Sequence, residues 1–187
     1  MHRFITHYKK LNDLDPTLKD FVKPLKHLGH KLQCYLFQHP KNFQFNEQSF
    51  KKLKKIKSII RTKKCVFEFR NKSWFNEEVN DLFVKNGWVF SASYYPKLGF
   101  DELDHGFNPV LNSQFISNKS YIYIRLHGSV GIYVGAHDNR ILTKIAKLSK
   151  NRNYERIYVL FNNTDSINKP SFLPDAIRDA LRLKRKI

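Results

Sequence analysis

Cys65-Val-Phe-Glu-Phe-Arg-Asn-Lys-Ser-Trp74, CVFEFRNKSW in one-letter code, sets two charges into a run of aromatic and branched residues. Side chains alternate along a strand, so Cys65, Phe67 and Phe69 share one face and Glu68 and Arg70 the other. A strand of this composition belongs inside a protein, where charges persist mainly when paired or put to use. Glu68 and Arg70 therefore read in two ways. They form an ion pair linking neighbouring strands, or Glu68 acts as a general base or metal ligand with Arg70 as an anion clamp.

Four further runs share this character: Lys31 to Gln38 (KLQCYLFQ), Trp88 to Tyr94 (WVFSASY), Tyr121 to His127 (YIYIRLH) and Arg156 to Asn163 (RIYVLFNN). Each is short, rich in aromatic or β-branched residues, and ends in polar ones. Helical patterns lie between most of them, at Leu18 to Leu28, Gln48 to Ile60, Asn76 to Asn86 and Arg140 to Lys150, with Phe172 to Lys186 after the last. Leu53, Ile56 and Ile60 recur at helical spacing, and Gly87 is placed to stop its helix. Strand and helix alternate, which predicts an α/β protein with a parallel sheet under covering helices. Pro96 to Lys119 breaks the alternation and reads as a long loop with one helical turn.

Polar side chains gather at the carboxyl ends of these strands: Gln38, then Glu68 with Arg70, then Arg125 with His127, then Asn162 with Asn163. In parallel α/β folds that end of the sheet is where ligands bind. Arg125 suits phosphate or carboxylate, and His127 suits proton transfer or a divalent metal. Asn162 and Asn163 suit a sugar, amide or base, or the capping of a turn. Trp74 stands at the rim, to stack on a ligand or to close the core. His7, with Thr6, adds a third point. Glu68 and His127 are the catalytic candidates, and His7, Gln38, Arg70, Trp74, Arg125, Asn162 and Asn163 the ligand-binding ones. Glu102, Asp104 and Asp138 fall in loops and read as solvated. No GxSxG, HExxH, P-loop or dinucleotide glycine fingerprint is present.

Length and composition bound these readings. The 187 residues suffice for one domain with a substantial core, and 41% hydrophobic content argues against disorder. The longest apolar runs are strand-sized and the opening residues lack a signal-peptide core, so neither a membrane span nor a secretion signal is expected. Cys34 and Cys65 stand singly inside strand-like runs, as thiols of a cytoplasmic protein do. The net charge of +18, from 34 basic and 16 acidic residues, favours polyanions such as nucleic acid. Much of that excess, in KKLKKIK (Lys51 to Lys57) and RLKRKI (Arg182 to Ile187), reads as solvated helix faces.

Several motifs together resemble the YecE-like family, known as domain of unknown function 72: ITH (Ile5 to His7), LFQHP (Leu36 to Pro40), FEFRNKSWF (Phe67 to Phe75), YIRLHG (Tyr123 to Gly128), YVG (Tyr133 to Gly135) and YVLFNNT (Tyr158 to Thr164). The segment DAIRDALRL is similar to the family's closing helix, with Asp179 where the family pattern has Asn. The resemblance implies a TIM-barrel-like (β/α)8 fold in which a strand ending near ITH would be the third. On that reading residues 1–187 form a single partial barrel of about five parallel strands, the fourth to eighth, lacking the first two to three strand-helix units. The resemblance brings no reaction with it. Three functions follow as expectations: a strand-end rim binding an anionic, phosphorylated ligand with hydrolase or isomerase-like chemistry, with a divalent metal as its candidate cofactor; a nucleic-acid-binding or repair-nuclease-like protein; and a non-catalytic remnant of a split gene.

Overall fold

Three helices start at side-chain caps written locally in the sequence. Asn46 accepts a hydrogen bond from the Ser49 amide (2.9 Å) while Ser49 Oγ accepts from the Asn46 amide (3.0 Å), a reciprocal cap that starts α2 (Glu47–Ile59). Asn76 does the same service for Val79 at the start of α3 (Glu77–Asn86), and Gly87, at φ 63°, ends that helix in the left-handed region. α1 (Leu14–Leu25) precedes them and buries Leu14, Leu18 and Val22. Asp138 caps α4 (Asn139–Ser149) through the Ile141 amide (2.9 Å), and α5 (Asp175–Lys184) follows. Phe50, Leu53 and Ile56 form the inward stripe of α2, which leaves its lysines in solvent as the charge pattern predicts.

A computed structural model of the chain describes residues 1–62, 64–96, 106–112, 121–150, 154–165 and 173–187. They form two compact units, Met1–Phe90 and Ser91–Ile187. In the first unit β1 (Tyr35–Gln38) runs parallel to β2 (Cys65–Glu68), pairing Gln38 with Glu68, and β2 runs parallel to the start of β3 (Val89–Tyr95). In the second unit the remainder of β3 runs parallel to β5 (Tyr121–Leu126), which runs parallel to β6 (Arg156–Phe161). In the orders β1-β2-β3 and β3-β5-β6 the parallel neighbours follow one another along the chain, as expected for a βαβα chain.

One strand departs from the parallel pattern. β4 (Gly106–Phe107) lies antiparallel on β3, and a helical turn at Pro109–Asn112 follows it. Between them Asn108 donates to Ser91 O (2.9 Å) and accepts from the Ser93 amide (3.2 Å), pinning this part of the long connection to β3. Its flanks, with Glu102 and Asp104, lie outside the described residues. The segment Phe4–Tyr8 also differs from expectation, being a helical turn rather than a strand end. Its carbonyls are satisfied locally: Lys9 N–H donates to Phe4 O (2.9 Å) and Leu11 N–H to Ile5 O (3.1 Å).

Aromatic packing explains why the first unit holds its charges where it does. Phe67 stacks on Phe37 (ring centroids 4.9 Å apart), Phe83 on Phe90 (4.0 Å) and Phe69 on Trp74 (4.4 Å). Offset stacking adds to the area these rings bury. Phe67 and Phe69 thus fill the side facing α3, and Glu68 is turned the other way, as strand alternation requires.

Candidate functional site

Glu68 is the centre of the first unit's polar cluster. Wholly buried, it accepts from Gln38 Nε2 at 3.0 Å and from Arg70 Nε at 3.4 Å, both through Oε1. Gln38 is its register partner across β1 and β2, and Arg70 lies two residues on, so the spacing read from the sequence does bring these three together. Arg70 keeps 17% of its side chain exposed against none for Glu68, which places the guanidinium outward and the carboxylate behind it. His7 joins from the helical turn, its Nδ1 2.9 Å from Thr6 Oγ1. Burial, then the charges of Arg70 and Arg3, hold the His7 imidazole below its ordinary value, with Glu68 pulling the other way. At neutral pH His7 is therefore an uncharged donor and acceptor beside an anion and a cation.

His39 belongs to this cluster and escaped the strand-end reading. It follows Gln38 in LFQHP, is fully buried, and stacks on Phe43 (4.5 Å) and Phe69 (5.3 Å). Neither ring nitrogen has a protein partner among the described residues. Burial, with a smaller push from His7, carries its pKa down to about 3, against the pull of Glu68. Its signal was position alone, one residue past the end of β1.

Trp74 is a correction. The indole is wholly enclosed, stacks on Phe69 and Phe43, and donates from Nε1 to Phe43 O at 2.6 Å. A ring with both faces and its N–H engaged closes the core and offers no surface to a ligand.

In the second unit, Arg125 and Asn162 face one another from β5 and the end of β6. With the amide oxygen toward the guanidinium, Asn162 accepts from Arg125 Nε (3.3 Å) and Nη2 (2.5 Å). His127 is fully buried, stacked parallel to Tyr95 at 5.3 Å and tilted against Tyr133. Gly128 follows at φ 112°, where a Cβ would lie 2.5 Å from the carbonyl oxygens of Gly131 and Val134, so only glycine fits the turn that ends YIRLHG.

A densely bonded group in the second unit is one that strand-end reasoning missed. Asp179, on α5 and wholly buried, takes the His137 amide (2.8 Å), His137 Nδ1 (2.9 Å) and Asn163 Nδ2 (2.9 Å) on Oδ2, and Arg182 Nη1 (2.9 Å) on Oδ1. Burial alone would raise its pKa, but the hydrogen bonds and charge of His137 and the bond from Asn163 outweigh it and hold the carboxyl below its ordinary value. An ionised Asp179 requires the proton on His137 Nδ1. Asn163 is thereby committed to structure on its amide side, donating also to Gly135 O at 3.1 Å. Among the described residues no three His, Cys, Asp or Glu side chains converge as a metal site. No helix there is long and apolar enough to cross a membrane.

Comparison with known proteins bears on the fold. The UPF0759 protein YunF of Bacillus subtilis (strain 168) is 29% identical over 104 residues, which is 54% of this chain and 34% of that protein. The match thus spans about a third of the curated relative's length. A DUF72 family protein from Thermotoga maritima MSB8 superposes with a TM-score of 0.76 at 23% identity, covering 98% of this chain and 70% of its own. One from Enterococcus faecalis V583 gives 0.69 at 17%, covering 89% and 62%. The model of the family described as "Protein of unknown function DUF72" matches residues 1–186. A match of that extent, on an α/β fold with parallel strands shared by these structures, makes the chain a member of the DUF72 family.

Proposed function

We propose that the carboxyl ends of β1 and β2 bind an anionic, phosphorylated ligand. Arg70 supplies the charge, Gln38 and neutral His7 supply hydrogen bonds, and Glu68 serves as the acid–base group of a hydrolytic or isomerising step on that ligand. The observation that carries this reading is the layering of the cluster: a fully buried carboxylate holds a guanidinium that is itself partly open to solvent. A structural ion pair needs no open side. An anion clamp does, and a planar guanidinium held from behind by a carboxylate is oriented before the ligand arrives.

Calorimetric titration with inorganic phosphate and pyrophosphate tests it. Arg70→Lys, which loses the planar fork, is expected to weaken binding by about tenfold or more, in line with the ~1.5–3 kcal/mol of a charge-assisted hydrogen bond. Its melting temperature should stay close to that of the parent. If Glu68→Gln unfolds far more easily while Arg70→Lys binds phosphate unchanged, the pair is structural and the proposal fails.

A further inference from the structure

The second unit carries a feature that the strand-end cluster does not use. A groove of about 440 Å³ is lined by Asn139, Arg140, Thr143, Lys144, Lys147 and Lys186. Arg140, Lys144 and Lys147 recur at i, i+4 and i+7, which puts them on one face of α4, while Leu142, Ile145 and Ala146 are buried on the other. At the helical rise of 1.5 Å per residue this row is about 10 Å long, about three steps, or four successive phosphates, at the rise of one strand of a duplex. Lys186, just beyond α5, adds a fourth cation. Among the described residues the lining has no acidic side chain, and the adjacent Asp138 is engaged in capping Ile141.

We infer that this groove is a docking surface for the phosphodiester backbone of a nucleic acid. Three chemistries would be drawn to four cations, and the lining separates them. A membrane-surface helix offers its apolar face to the lipid, whereas that face of α4 is buried in the protein. A protein interface has an apolar or aromatic centre within a polar rim, and none of the described residues lining this groove is apolar. A sugar-phosphate backbone asks only for cations and for the uncharged hydrogen-bonding groups that Asn139 and Thr143 supply. Base edges are not read by such a surface, so binding is sequence-independent.

Fluorescence anisotropy with a mixed-sequence DNA duplex, across a range of salt, tests the assignment. Each phosphate contact contributes about 0.9 to the slope of log K against log salt. Replacing Arg140, Lys147 and Lys186 together by glutamine should therefore lower that slope by about 2 to 3, while Lys147→Arg keeps it. A control of equal charge, with Lys51, Lys54 and Lys55 of α2 changed to glutamine, should leave the slope nearly intact. All these side chains lie at or near the surface, and thermal melting checks that each variant is folded. Equal loss of slope in the groove variant and the control would show diffuse attraction to a basic protein and overturn the inference. So would absence of duplex binding at low salt, or tighter binding to phosphatidylserine vesicles or polyglutamate than to the duplex.

Discussion

Between pH 7 and pH 4 the protein should lose about 3 kcal/mol of stability through His39 alone. An unfolded histidine takes its proton near 6.5, whereas folded His39 stays neutral down to about 3. In that window the unfolded chain binds more protons, so each pH unit below 6.5 removes about 1.4 kcal/mol, and the loss levels off once the folded ring also protonates. The cause is burial between Phe43 and Phe69, with no partner on either nitrogen among the described residues to hold a charge. Urea unfolding of the parent and of His39→Phe at pH 7, 5.5 and 4 measures this. A phenyl ring keeps the stack and does not titrate, so the difference between the two proteins should widen steadily as pH falls. Parallel curves would mean that His39 is protonated in the fold, and the description of its pocket would be wrong.

Asp179→Ala should cost about 3 kcal/mol, the lower end of the range for removing one partner of a buried ion pair. Four donors lose their acceptor at once. The effect sits at the low end because Arg182 is partly exposed and turns to water, whereas His137 cannot. Asp179→Asn keeps the shape but must set an NH₂ against one of these donors, so it should fall between the parent and alanine. The carboxyl is held below its ordinary value of 3.8. Its contribution is thus complete above that value and lost as pH falls through the folded one, a more acidic window than that of His39. Denaturant midpoints for both variants at pH 7 decide the matter, and an alanine variant as stable as the parent would show the network to be incidental.

Much of the architecture was legible because it rests on near-neighbour periodicity. Five strand-like runs became five parallel strands, although the run from Lys31 pairs only from Tyr35, after Gly29 at φ 50° and a helical turn. Alternation in CVFEFR placed Glu68 opposite Phe67 and Phe69 correctly. Strand alternation is silent about what lies beyond a strand's end, which is where His39 sits and where the chain turns Trp74 inward. It is silent too about pairs far apart in sequence: Asp179 looks like one polar residue in an amphipathic helix, and only tertiary structure sets it against His137, 42 residues earlier. The helical turn at Phe4–Tyr8 was hidden for a related reason. Its motif was read by resemblance to a strand end, while its carbonyls are closed locally by the amides that follow.

The His137 amide belongs to no helix and no strand, yet it donates to a carboxylate carried by α5. Its deuterium uptake should therefore report on that helix, the N–H being expected to exchange when α5 lifts away. The same loop is tied further by Asn163 Nδ2, which donates to Gly135 O, and by Arg182 Nη1 of α5, which donates to His137 O, so His137 and α5 are expected to open together. A loop residue held in this way, though irregular in backbone, should share the protection of the helix that holds it.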